Sequence, residues 1–351
     1  MVMTADPRGV EPFGLVPNGN APRGADPCAV DANGAALSVP DAHGASGALL
    51  RPLALGQADG SLGDGVVAHV RGLLEDVARQ LVEALAGAAH AGGTCMEGGA
   101  QAAFVALLAS NGTFLGGLHA LALEWRLTAR LEERQGIDSV LTPLLLAALA
   151  VEGEGSEDDT PLALARGLAG AQFRFCLDSR RMRLPLGELP PDLFRIALAA
   201  LHLHASGLPA TDRDDAHSRA IIAERSLRLR FDAERGRLAL LRRFAGEGAG
   251  AAHQHPDQLD LTQGGAALFL TALARTTGLA RAQALSLLAP ARIGELVLVL
   301  RAAGLPAAQA GGCVQALHPD ALVPGALLAI TPQDAAQMLG QQAAHVAGEQ
   351  A

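Results

Sequence analysis

Lysine and tyrosine are both absent from this sequence of 351 residues, and aromatic residues make up only 3% of it. All 27 basic residues are therefore arginines. The absence of lysine excludes a lysine Schiff base, a P-loop lysine and a lysine general base. With Trp125 as the single tryptophan, the core must be built from Leu, Ala and Val. Because Leu and Ala are strong helix formers, whereas strands favour β-branched and aromatic residues, the composition predicts helix.

Cysteine is also scarce, and its four positions are far apart in the chain: Cys28, Cys95, Cys176 and Cys313. No pair has the spacing of a metal site, so the pattern predicts free thiols rather than a disulfide framework or a zinc site. The formal net charge is −9, which does not favour nucleic-acid binding. The first residues lack the features of a secretory signal, and no apolar run reaches membrane-spanning length. We therefore expect a cytoplasmic protein that binds neither nucleic acid nor membrane.

The change in amino-acid composition along the chain predicts an N-terminal leader followed by two helical regions. Residues 1–60 are rich in Gly, Pro, Ala and Asp without sustained periodicity, which is typical of a disordered leader. From residue 61 onward, apolar residues recur every three or four positions, as in Val66, Val70 and Leu73. We expect an N-terminal helical region over 61–206, a C-terminal helical region over 207–325, and a short helix with a frayed tail over 326–351. The predicted fold is all-α, either an irregular helical bundle or a HEAT-like helical array.

Glycine and capping residues predict several helix boundaries. The stretch from about 100 to 134 is expected to break near Asn111 or near Gly116, and Gly136 is expected to end it. Asp138 or Ser139 would cap the next short helix. Gly278 and Gly304 occupy positions typical of residues that follow a helix.

Residues 212–244 are the most ambiguous stretch. The alternation of Leu227, Leu229 and Phe231, followed by Gly236, would allow a hairpin. The high content of Ala, Glu and Arg favours helix instead.

Histidines supply the candidate metal ligands, but none completes a site. His253 and His255 lie in a predicted loop with Asp257 and Asp260 nearby, and such a loop could surround Zn, Ni or Fe. A third fixed ligand is not identifiable, so solvated loop residues are the preferred interpretation. The same interpretation applies to a second group of candidates: Asp212, Asp214, Asp215 and His217.

Other chemical signatures are missing or unsuitable. His202 and His204 are two residues apart on a predicted helix, so they point to different faces and do not share a metal. The patterns GxSxG and HExxH are absent. The acidic segment 152–159 lacks the ligand alternation of an EF-hand and is interpreted as a solvated loop. We therefore predict no catalytic residue, no metal ligand and no cofactor-binding residue.

One cluster of basic residues stands out between positions 225 and 243. Guanidinium groups bind phosphate and carboxylate through paired hydrogen bonds, so a phosphorylated ligand, an acidic partner or RNA could bind there. Interleaved Glu224, Asp232 and Glu234, and the lack of an aromatic platform, favour a solvated helix face with internal ion pairs. The cluster comprises Arg225, Arg228, Arg230, Arg235, Arg237, Arg242 and Arg243.

Two segments are similar to a known family. The first runs from Phe173 to Phe194 and contains Arg-Arg-Met-Arg-Leu-Pro-Leu-Gly-Glu-Leu-Pro-Pro-Asp-Leu-Phe; the second runs from Ala267 to Pro306. Both resemble the alphaproteobacterial family known as domain of unknown function 2336, over about residues 65–320. The resemblance implies a helical fold. It implies no established activity, so no functional residue carries over.

Three functions remain compatible with the sequence. A non-catalytic scaffold or regulator that binds another protein is favoured, because helical segments can stack into an extended surface and no catalytic pattern is present. A metal-dependent enzyme around His253 and His255 is the first alternative. Phosphate or nucleotide sensing by the arginine cluster is the second.

Overall fold

The protein, as described by a computed structural model over residues 63–88, 99–150, 161–246, 256–323 and 325–349, is all-α, as predicted. These ranges contain fourteen α-helices and no strand. The predicted leader over 1–60 lies outside them. The helices are α1 Gly63–Gly87, α2 Gly99–Ala109, α3 Gly112–Gln135, α4 Pro143–Leu149, α5 Pro161–Arg180, α6 Pro191–Ser206, α7 Ala210–Arg230, α8 Arg237–Phe244, α9 Leu261–Thr277, α10 Arg281–Ser286, α11 Ile293–Ala302, α12 Ala307–Leu317, α13 Gly325–Leu328 and α14 Pro332–Glu349.

The buried apolar residues form three clusters, and α3 contributes to two of them. The first cluster joins α1, α2, the first half of α3, α6 and α7. The second joins the last half of α3 to α9, α10, α11 and α12. The third joins α4, α5, α8 and part of α9. The hydrophobic effect of burying these Leu, Ala and Phe side chains is the main contribution that stabilises the packing of the helices.

The packing is that of an irregular bundle. In a helical array each repeat contacts only its neighbours in sequence. Here α1 packs against α7, α3 packs against α9, and α11 packs against α14. Helices α6 and α7 also pack on each other, so contacts cross the proposed division between residues 206 and 207.

Several predicted boundaries are confirmed, and one cap is corrected. The break falls at Asn111, whose side-chain oxygen accepts a hydrogen bond from the Phe114 amide at 2.9 Å. Gly136 ends α3 in the left-handed conformation. Neither Asp138 nor Ser139 caps the next helix. Thr142 is the cap of α4, because the Asp138 carboxylate accepts the amides of two residues that precede that helix.

The ambiguous stretch is helical, as preferred, but it forms two helices rather than one. Helix α7 ends at Arg230, and α8 begins at Arg237 after a turn in which the Asp232 carboxylate accepts the amides of Glu234 and Arg235. The last helix differs from expectation, since α14 is 18 residues long rather than short.

None of the helices in the described ranges is by itself long and apolar enough to cross a membrane. Helices α2 and α3 meet that criterion only when they are taken together, and they are bent by 91° at their junction.

Candidate functional site

The most unusual interior feature is a buried carboxylate on α3. Helical periodicity places Glu124 on the same stripe as Leu121, Thr128 and Leu131, all of which are buried. Only 1% of the Glu124 side chain is exposed. Such a charge is stable only when it is paired and hydrogen-bonded.

Two arginines supply that pairing from distant parts of the chain. Arg237 at the start of α8 donates from Nη1 to Oε1 of Glu124 at 2.8 Å. Arg281 at the start of α10 donates from Nη2 to the same oxygen at 2.8 Å. Because Glu124 lies on the helix that contributes to two clusters, these bonds connect all three parts of the core. We call Glu124, Arg237 and Arg281 the buried charge cluster.

Neighbouring groups fix the orientation of both guanidinium groups. Arg237 also donates to the side-chain oxygen of Gln172 at 3.0 Å, and its guanidinium carbon lies 3.7 Å from the centre of the Phe175 ring. Arg281 donates to the carbonyl oxygen of Ala267 at 2.9 Å and to the Thr271 hydroxyl. The cluster is therefore held by α3, α5, α8, α9 and α10 together.

The electrostatics of the cluster favour the ionised carboxylate. Burial alone raises the pKa of Glu124, but the charges and hydrogen bonds of Arg237 and Arg281 outweigh it and lower the pKa to about 2. Burial also lowers the pKa of Arg281. The cluster thus holds one negative and two positive groups in the interior.

The structure agrees with the prediction of a solvated arginine cluster except at Arg237, since the other six arginines are exposed. Arg225, Arg228 and Arg230 are exposed on α7, and Arg228 pairs with Glu224 at 2.5 Å, as expected. Arg237 is instead buried, with 4% exposure. The missed signal was Glu124, which interrupts an apolar stripe and therefore required a buried partner.

A narrow cleft lies beside Arg237, between α5, α8 and the segment that follows α5. Its wall includes Phe175, Asp178, Arg183, Glu188 and Arg237. The Nη2 atom of Arg237 is buried and has no acceptor among the described residues. The space is about 30 Å³, which is room for about two water molecules. The wall carries two carboxylates and two guanidinium groups, so its charges do not select an anion, and the space is too small for a phosphate group. The cleft therefore gives little support to phosphate sensing.

A second feature lies on the surface of α7. This helix buries Ala220 and Ala223, with Ala216 and Leu227 partly buried on the same side. Its opposite side exposes Ile221, Ile222 and Leu229, the last to 81%. Large apolar side chains that lie together on one exposed surface are a common sign of an interaction site. We call the exposed side of α7, with Asp214, Ser218, Ile221, Ile222, Arg225, Arg228 and Leu229, the α7 outer face.

Charge along α7 is partly polarised. Asp212, Asp214 and Asp215 lie in the first two turns together with Arg213, and Arg225, Arg228 and Arg230 lie in the last two together with Glu224. Asp215 pairs with Arg219 one turn later. Asp214 and Arg225 have no ion-pair partner among the residues that the structure describes. The α7 outer face therefore carries an acidic end, an apolar centre and a basic end.

The structure describes only part of the candidate metal ligands. His253 and His255 lie outside the described residues, as does the acidic segment 152–159. Within the described ranges, no three His, Cys, Asp or Glu side chains come together in a way that could hold a metal ion. His217 lies on α7 with Asp212, Asp214 and Asp215, but its ring is next to that of His202, 6.3 Å away.

The two histidines of α6 point in different directions, as predicted. His202 forms a hydrogen bond of 2.6 Å with Glu224, whereas the ring of His204 packs on Phe104 at 4.6 Å. Burial lowers the pKa of His204. Of the cysteines, Cys176 and Cys313 are free and buried, as expected of inert thiols, and burial raises the pKa of Cys313 to about 11.

Comparison of the chain with family models, with curated proteins and with solved structures gave no match. The resemblance to domain of unknown function 2336 accordingly stays a prediction.

Proposed function

We propose that the protein is a non-catalytic scaffold or regulator that acts by binding another protein chain. The observation that carries this proposal is the α7 outer face, where Ile221, Ile222 and Leu229 are exposed between charged groups. Protein interfaces commonly have an apolar centre and a polar rim, and the α7 outer face has that arrangement. We further propose that the chain is a member of the domain of unknown function 2336 family and acts in the cytoplasm.

The alternatives receive less support from the described residues. The metal-dependent enzyme depends on His253 and His255, which lie outside the described residues. The phosphate sensor depends on the arginine cluster, whose buried member Arg237 already pairs with Glu124. The α7 outer face needs no further group in order to bind a protein.

Affinity purification tests the proposal. The tagged full-length chain is purified at moderate salt from its own cells, which also express the untagged chain, and retained proteins and metals are identified by mass spectrometry. We expect a stoichiometric protein that is retained by the wild type and lost when Ile221→Asp places a charge in the apolar centre. Burial of an ionised carboxylate without a partner is strongly unfavourable, which is the reason for the expected loss.

Leu322→Asp is the matched control, because Leu322 is 95% exposed and lies far from α7 in sequence. This variant should retain the same protein as the wild type. A retained protein that both variants keep, or a stoichiometric metal with no protein, would contradict the proposal.

A further inference from the structure

The α7 outer face has a pattern that is complementary to itself. Asp214 lies seven residues before Ile221, and Arg228 lies seven residues after it. Seven residues are almost two helical turns, so these three positions lie in one row along the helix, with Ile222 beside the row.

An antiparallel copy of the same helix would match this pattern. When two such helices cross with Ile221 at the centre, Ile221 and Ile222 of one copy meet the same residues of the other. Asp214 of each copy then lies beside Arg225 of the second copy and beside Arg228, which also pairs with Glu224 of its own helix. A two-fold interface repeats every contact, so the acidic and basic groups come together at both ends of the helix pair.

The helix macrodipole explains the order of charges along α7, but it does not explain the exposed apolar residues. Acidic residues at the start of a helix and basic residues at its end suit the helix macrodipole. The macrodipole does not account for two exposed isoleucines between the acidic and the basic end. Antiparallel pairing accounts for both, since it buries the apolar centre and brings opposite charges and opposite dipole ends together.

We propose that the occupant of the α7 outer face is a second copy of this chain, which packs α7 against α7 in antiparallel orientation. This inference rests on the proposed function and names the partner. Helix α7 has 21 residues and is therefore about 30 Å long. One helix pair buries a modest area, so the dimer dissociates on dilution.

A charge exchange tests the pairing. The full-length chain is studied by sedimentation velocity between about 1 and about 100 µM, the range in which weak interfaces associate. In Asp214→Arg, the new arginine of each copy faces Arg228 of the other copy, and in Arg228→Asp, the new aspartate of each copy faces Asp214 of the other copy. Each single variant should weaken the dimer by about tenfold or more, because like charges oppose each other twice. The double variant Asp214→Arg/Arg228→Asp restores opposite charges at this pair while Arg225 stays beside the new arginine, so it should recover part of the association that each single variant loses.

Controls separate pairing from damage to the fold. Asp320→Arg makes the same charge change at an exposed turn and should leave the dimer unchanged. Circular dichroism of each variant confirms that the helices are intact. A wild-type chain that is monomeric throughout, or a double variant that stays folded and monomeric, overturns the inference.

The two proposals fail in different ways. If the purified chain is monomeric while the affinity experiment still retains a different protein through Ile221, only the identity of the partner is wrong. If Ile221→Asp changes neither the association state nor the retained proteins, the proposed function is wrong as well.

Discussion

At Glu124, a carboxylate without access to water faces two guanidinium groups, and removal of its charge leaves both of them without a counterion. We expect Glu124→Gln to lower the free energy of unfolding by about 3 kcal/mol at neutral pH, because breaking one side of a buried ion pair strands the other. Chemical denaturation followed by circular dichroism measures the change.

Glu132→Gln is the matched control on the same helix. Its partner Arg180 lies 3.4 Å away, and both side chains are substantially exposed. An exposed pair contributes at most about 1 kcal/mol, so the control should be close to the wild type. Equal effects of the two substitutions would show that the buried charge cluster does not stabilise the fold.

At the scale of single residues, sequence patterns identify which positions are buried but not which positions meet. The stripe through Leu121 and Leu131 places Glu124 inside. Arg237 is 113 residues later, and nothing local to it distinguishes it from its exposed neighbours Arg235 and Arg242. The pairing of Glu124 with Arg237 depends on how α3 and α8 cross, and the periodicity of the sequence does not specify that crossing.

At the scale of elements, a bend in α9 depends on Gly265. Its φ of 65° and ψ of 177° belong to a region that is essentially restricted to glycine, and an added Cβ would lie 2.7 Å from Cγ2 of Thr142. We expect Gly265→Ala to destabilise the protein by about 2 kcal/mol or more, because both the backbone and the contact with α4 must shift. Thermal unfolding measures the effect.

Gly278→Ala provides the comparison. Gly278 also has a positive φ, of 68°, but no atom lies within 4 Å of the added Cβ. This variant should lose only about 1 kcal/mol. If the two alanine variants are equally stable, the contact with Thr142 is unimportant.

Helix ends were the most predictable elements. Gly136 and Gly278 adopt the left-handed conformation that ends a helix, and Asn111 caps α3, because each role depends only on residues close in sequence. The predicted cap of α4 was wrong, because Asp138, Ser139 and Thr142 are all residue types that cap helices. Only the turn made by the Asp138 carboxylate decides which of them precedes the first helical residue.

At the scale of the whole molecule, protonation of Glu124 loosens the connection between the three clusters of the core. The pKa of Glu124 is lowered from 4.5 to about 2 in the folded protein. A lowered folded-state pKa gives stability that is present above pH 4.5 and lost as the pH falls through about 2. The difference in unfolding free energy between wild type and Glu124→Gln should therefore shrink from about 3 kcal/mol towards zero over that interval. A difference that persists unchanged at pH 2 would contradict the assignment.

The architecture was predictable as a class but not as a packing arrangement. Composition and periodicity identified an all-α protein, because those signals are local. The choice between a bundle and an array depends on contacts such as α1 with α7 and α11 with α14, and these join segments far apart in the chain. The exposed isoleucines of α7 gave no signal in the sequence, since apolar residues on a helix are ordinarily assigned to its buried side.

Trp125 is adjacent to Glu124 on α3, and its ring lies 5.9 Å from the guanidinium carbon of Arg180. The chain has no tyrosine and no other tryptophan. Its intrinsic fluorescence, when excited at the red edge of the absorption band, thus arises from one indole. That emission is a built-in optical probe, in which changes in colour and intensity report events next to the buried carboxylate without any attached dye.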